Sequence, residues 1–279
     1  MKKIVFLMCF IPSITFGYQT TFHGHYESSE IDTDSGVTSY LTGLEYYLHE
    51  LDNDGYLFKE VGFLNRVSSL IFVYGTTIFE INNPSLSYKF NGSTLGYGAN
   101  LYQNDLNFSV LLLSDNLDGT GVVSGATVTS NYIKLQAGSF IGKNSLVLLG
   151  YGKNETSVSN LGSDSSSTEI SQEISYKEVK NNYNLELGFQ INNYDDAFEQ
   201  YTTYDTNLLI DYYLTKNMYF NIGYKISTGD TNDDDVNRVS VGVGGLVSKD
   251  LFYSFELSER QPKVGVSELS LSFGAGINF

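Results

Sequence analysis

The 279-residue sequence has one cysteine, no tryptophan and three prolines, and its basic residues number 16 against 32 acidic ones. Each shortage excludes something. The only cysteine, Cys9, sits in an apolar leader, so a chain without that leader has no thiol for a disulfide, a zinc-thiolate site or a cysteine nucleophile. A formal charge of −16 removes nucleic acid from the set of partners, because phosphate recognition needs a basic footprint. No internal stretch reaches the ~20 consecutive apolar residues of a helical membrane span. Few prolines leave room for long uninterrupted strands. What is abundant fits them: 27 glycines, 22 tyrosines and 18 phenylalanines. With tryptophan absent, tyrosine must carry any interfacial aromatic belt.

The first residues read as an export signal. Met1-Lys2-Lys3 is basic, Ile4 to Ile11 is apolar, and Thr15-Phe16-Gly17 ends in the small residues that favour cleavage after Gly17. Met8 before Cys9 makes a poor lipoprotein acylation site. The expected organisation is residues 1–17 as signal peptide and 18–279 as one domain.

That domain alternates with period two, the signature of strands with one apolar face. The last stretch is the clearest: Leu269, Leu271, Phe273, Ala275, Ile277 and Phe279 share one face, and Ser270, Ser272, Gly274, Gly276 and Asn278 the other. Earlier, Phe22 and Tyr26 oppose His23, His25 and Glu27, while Tyr40, Leu44 and Tyr46 oppose Ser39, Gly43 and Glu45. A third strand is expected through Leu57, Val61, Phe63 and Val67 to about Tyr74, after a turn at Asp52-Asn53-Asp54-Gly55. Parity is lost around Pro84. Further strands are expected at 93–102, 106–114, 128–138, 145–156, 168–179, 183–193, 203–214, 218–227, 236–247, 251–260 and 264–279. The expectation is an all-β transmembrane antiparallel barrel of about fourteen strands, between twelve and sixteen. Short links such as Lys180-Asn181-Asn182 alternate with longer acidic ones at 27–36, 115–127, 157–167, 194–202 and 228–235, as two unlike membrane sides demand. A soluble sandwich would alternate too, but would bury the apolar face.

The terminal strand ending at Phe279 resembles the assembly signal of bacterial outer-membrane barrels. Glu60-Val61-Gly62-Phe63-Leu64-Asn65-Arg66-Val67-Ser68-Ser69 resembles the E-A-A-F-L-x-R-A-S-S stretch of a gammaproteobacterial general porin family, with Val61 and Gly62 in place of the two alanines. The resemblance implies an outer-membrane, pore-type barrel and supplies no binding residues. Its expected partners are outer-membrane lipid and lipopolysaccharide, the barrel-assembly machinery, and small solutes or ions; a homo-oligomer is compatible with it.

Charged residues at mid-strand polar positions are the candidate pore lining: Glu45, Glu60, Arg66, Asp205, Asp211, Arg238, Glu256 and Arg260. Arginines facing acids across a lumen would set a constriction field; ion pairs that merely stiffen the wall are the alternative. Net acidity predicts a cation preference. No cofactor and no metal is expected. His23 and His25 share a face without a third ligand, and Asp230-x-Asn232-x-Asp234 departs from a calcium loop at Asp235 and Val241. All three histidines, His23, His25 and His49, lie in the first two strands, with no acyl-transfer or protease constellation around them, so no enzyme is expected. A first strand starting at the cleavage site leaves no N-terminal plug. The function expected is passive diffusion of small hydrophilic solutes. The alternative is a closed barrel that acts through acidic outer loops in adhesion or structure.

Overall fold

The computed structural model describes residues 20–32, 35–49, 61–83, 86–121, 123–159, 164–196, 200–230, 235–247, 251–263 and 267–278. Fourteen antiparallel strands close on themselves in the order β1-β14-β13 and so on to β2, each pairing with its sequence neighbours. They are β1 (Thr20–Asp32), β2 (Ser35–Tyr47), β3 (Ser69–Asn83), β4 (Leu86–Gln103), β5 (Leu106–Gly121), β6 (Thr127–Phe140), β7 (Ser145–Ser159), β8 (Ser165–Lys180), β9 (Tyr183–Asp195), β10 (Gln200–Thr215), β11 (Met218–Gly229), β12 (Val236–Leu246), β13 (Leu251–Pro262) and β14 (Glu268–Asn278). The β1–β14 pairing, from Thr21↔Asn278 to Glu30↔Leu269, leaves no free edge. Ser29 and Ser270 hydrogen bond across this closure at 2.8 Å.

Alternation decides what faces where. Phe72, Tyr97, Phe108, Leu135, Leu149, Ile174, Phe189, Ile210, Ile222, Val241, Phe255 and Phe273 all lie exposed on the outer surface. An apolar exterior with no edge is the arrangement a bilayer stabilises, since every backbone group is paired between strands. No helix among the described residues is long and apolar enough to cross a membrane.

Two expectations need correction. The third strand does not run through Val61, Phe63 and Val67: Val61–Leu64 is a single helical turn, α1, and β3 begins at Ser69. The apparent period of two there comes from a helical turn and the extended residues after it. The acidic links at 115–127 and 157–167 are largely strand as well, since β5 runs to Gly121 and β7 to Ser159. Polarity on both faces does not stop pairing once a strand has left the membrane. Ser130 Oγ donates to Asn154 Oδ1 at 2.7 Å, and Ser114 Oγ to Asn131 Oδ1 at 3.0 Å.

The lost parity around Pro84 has a related cause. Register between β3 and β4 is continuous from Ser69↔Asn100 to Asn83↔Leu86. Toward the hairpin tip, Phe79, Tyr88 and Phe90 face inward, while Lys89, Asn91 and Ser93 face outward, the reverse of the pattern at membrane level. Both termini and the even-to-odd turns mark one end of the barrel, which we call periplasmic by that convention. Residues 1–17 with the expected export signal, the turn expected at Asp52–Gly55, Leu57, Glu60, Pro84, Asn232, Asp234 and Phe279 lie outside the described residues.

Candidate functional site in the barrel lumen

The periplasmic end is crossed by a bar of chain. Residues 62–68 run through α1 and on to β3. The helical turn ends when Val67 N–H donates to Gly62 O and Arg66 N–H to Phe63 O, each at 3.1 Å. Arg66 takes a left-handed backbone, φ 52°, at the position after a helix where glycine is usual. For a side chain with a Cβ this costs ~1 kcal/mol, so its contacts must offset the strain. They do so in number. The guanidinium pairs with the Asp105 carboxylate, donates to Asn104 O and Lys143 O at 3.3 Å each and to Gly142 O at 3.5 Å, and stacks 4.0 Å from the centre of the Phe140 ring. Arg66 therefore ties the bar to the β4–β5 and β6–β7 turns at once.

The bar is seated by apolar packing on the far wall. Phe63 and Leu64 pack against buried Val179, Tyr213 and Tyr219 from β8, β10 and β11. These strands lie across the ring from β3, since β3 and β10 are seven strands apart either way round. The Phe63 ring also lies 5.3 Å from that of Phe140 and 5.0 Å from Lys177 Nζ. Lys177 in turn bridges to Glu186 at 2.8 Å, and Asn184 donates to Glu186 and to Asp211 at 3.1 and 3.0 Å. Near this seat Asn184 and Asp211 have no solvent exposure. At the bar's near end Glu45 accepts from Ser69 Oγ at 2.6 Å and from Tyr47 O–H at 2.8 Å.

Above the bar the lumen has two unlike walls. On β8 to β13 the inner face is charged. Glu173 pairs with Lys134 at 2.6 Å, and Asp205 with Lys225 at 2.8 Å. Arg260 pairs with Glu268 at 3.5 Å, and Glu256 accepts from Asn221 at 3.2 Å. Over the wall as a whole acids predominate. The inner face of β3 to β5 instead carries Ile71, Val73, Leu111, Leu113 and Leu117, interrupted by Thr77 and Asp115. Leu111, Leu113 and Leu117 lean over inward glycines of β4: a Cβ added at Gly96 would stand 2.5 Å from Leu113 Cδ2, and one at Gly92 2.7 Å from Leu117 Cγ. Lying flat over glycine keeps these leucines out of the passage.

The sequence-predicted residues are thus distributed rather than gathered in one ring. Glu45 and Asp211 lie toward the barred end, and Arg66 holds the bar. Asp205, Arg238, Glu256 and Arg260 share the charged wall. Arg238 and Arg260 are cross-strand neighbours and do not face those acids across the lumen. His23 stands on the inner face over Gly43. Among the described residues no three metal-ligating side chains converge. Phe63, Phe140 and Lys177 were not singled out from the sequence. The inner leucines had a signal: the unbroken run Val110-Leu111-Leu112-Leu113 makes both faces of β5 apolar.

No family model matches the chain, and no curated protein matches its sequence. Solved structures match its fold. The outer membrane protein Omp33 of Acinetobacter baumannii aligns with a TM-score of 0.52 at 15% identity, over 94% of this chain and 98% of that one. The CymD monoaromatic hydrocarbon channel aligns at 0.58 with 9% identity, over 94% and 88%. A Pseudomonas aeruginosa FadL homologue aligns at 0.55 with 10% identity, over 94% and 89%. At such identities the likeness is one of fold: this chain is built as outer-membrane barrels are.

Proposed function

We propose that the protein is an outer-membrane channel, exported by cleavage after Gly17, that lets small hydrophilic solutes diffuse passively with a preference for cations. The observation that carries this reading is the charged inner wall. Glu173, Asp205, Glu256 and their partners put charge on the inner face, where a water-filled passage stabilises it. Channel proteins among the fold neighbours, and the resemblance of residues 60–69 to the general porin segment, support it. The excess of acids over bases on the inner face attracts cations and repels anions.

Residues 62–68 give this channel a restriction at its periplasmic mouth. Solutes pass beside the bar or when it leaves its seat on Val179, Tyr213 and Tyr219. Burying a phenylalanine contributes ~2 kcal/mol, so docking of the bar is favourable without being irreversible. Swelling of liposomes that contain the purified protein tests the reading. Swelling rates that fall steeply from pentose to disaccharide are expected. Rates equal to those of protein-free liposomes, from protein shown to be inserted, would exclude it and favour a closed barrel that works through its outer surface.

A further inference from the structure

Around the β1–β14 closure the inner face carries acids at one height and cations at another. Glu27 on β1 and Glu256 on β13 are both in register with Ser272 of β14, one on either side. Two strand spacings, ~10 Å, separate their backbones, so a cation above Ser272 is within reach of both carboxylates. Among the described residues Glu27 has no ion-pair partner, and Glu256 accepts from the Asn221 amide at 3.2 Å. The next row outward is neutral, with Ser240, Ser258 and Ser270 as cross-strand neighbours. Beyond it Lys225, Arg238 and Arg260 stand side by side in register. Like charges so paired destabilise a sheet. The outer two are compensated, Lys225 by Asp205 at 2.8 Å and Arg260 by Glu268 at 3.5 Å. Arg238, between them, has no carboxylate partner among the described residues and is exposed to the interior. It lies four residues along β12 from Gly242, the partner of Glu256, a rise of ~13 Å.

One cavity joins these groups. Its volume is about 390 Å³, and Glu27, Glu256, Asn221 and Arg238 line it together with Ser258 and Ser270. That is within the ~300–1,000 Å³ of small-molecule sites. Asn221 is only 7% exposed. Its Nδ2 is committed to Glu256, and its Oδ1 lies over Gly242, where a Cβ would collide with it, without a hydrogen-bond donor. A buried acceptor left open beside two carboxylates calls for a ligand N–H. Resting on the channel reading above, we propose that this cavity binds cationic amino acids of the lysine type, the α-carboxylate on Arg238 and the side-chain ammonium between Glu27 and Glu256. The serines between the two ends and Asn221 Oδ1 are acceptors for the α-ammonium. Such a solute is a net cation and is drawn in by the acidic wall as other cations are. Arg238 then favours, among organic cations, those with a carboxylate at the far end, and repels those with a second ammonium there.

Calorimetric titration of the folded, detergent-solubilised protein with lysine at low salt tests this without requiring conduction. Saturable binding is expected. Norleucine, which lacks the side-chain ammonium, and cadaverine, which lacks the carboxylate, should each bind roughly tenfold more weakly. Arg238→Gln should weaken lysine roughly tenfold and leave cadaverine no weaker, whereas Glu27→Gln should weaken both, in barrels whose heat-modifiable mobility shows them folded. Lysine binding that is undetectable in the wild type, matched by cadaverine or norleucine, or unchanged in Arg238→Gln would overturn the proposal. The two readings fail separately. Currents across a bilayer with no lysine binding would leave the channel and remove this substrate class. Binding with no current would keep the site and remove the channel.

Discussion

The two ends of the barrel solve opposite problems. At the periplasmic end the turns are short and the bar of residues 62–68 is packed on the far wall, tied by one arginine to two neighbouring turns. At the other end β5 to β8 run on past the apolar belt as polar ladders beside the aromatic tip of β3–β4, and inward Tyr194 of β9 and Tyr201 of β10 stack 4.6 Å apart near the rim. One end is held by tertiary packing and the other by paired backbone. Closure that depends on a few side chains can be opened by a few side chains, whereas a ladder resists single changes. The periplasmic end is therefore where substitutions should alter passage, and the outer end where they should not.

The largest effect is expected from unseating the bar. Phe63→Ser with Leu64→Ser removes the apolar contacts with Val179, Tyr213 and Tyr219 and should cost docking about 3 kcal/mol, roughly a hundredfold in the docked-to-released ratio. Single-channel recording should show larger and longer openings while the melting temperature of the barrel barely moves. Next comes a lock. Because Cys9 is the only cysteine and the proposed cleavage after Gly17 removes it, Leu64→Cys with Val179→Cys would introduce a clean pair. Current should fall under oxidant and recover under reductant, with cross-linking followed by electrophoretic mobility.

Arg66→Ala should act in the same direction as the serine pair and less strongly. It loses the Asp105 ion pair and the Phe140 stack while alanine, which keeps a Cβ, retains the left-handed strain, for a net effect of about 1 kcal/mol. More frequent brief openings would show it. Gly96→Val tests the wall instead of the bar. The new side chain must push Leu113 toward the lumen, so a measurable fall in conductance without a change of ion selectivity is expected. The smallest effect belongs to the outer end. Ser130→Ala removes a hydrogen bond to Asn154 that water can replace, and should change stability by no more than ~0.5 kcal/mol and conductance not at all.

This contrast also explains what the sequence could reveal. At membrane level, lipid outside and water inside impose opposite polarity on successive residues, so strands such as β9 to β14 are legible from alternation alone. Past the membrane both faces can be wet, and Ser165 to Ser167 read as loop although they are paired strand. On β3 to β5 both faces are apolar in places, and at the tip of β3–β4 the polarity reverses, which hid Phe79 and Phe90. The bar was visible as a sequence, Phe63-Leu64-Asn65-Arg66, and even as a resemblance, but its alternating apolar residues imitate a strand. The place of Arg238 between two other cations follows from register across three strands, and a single strand's pattern carries no register.

The most direct test is single-channel conductance in a planar bilayer under a salt gradient, with the wild type recorded beside the Phe63→Ser, Leu64→Ser variant. Discrete steps with a cation-signed reversal potential are predicted for both, with greater open conductance or open probability in the variant. Silence from both proteins, with folding and insertion verified, would contradict the account and make the barrel a sealed one.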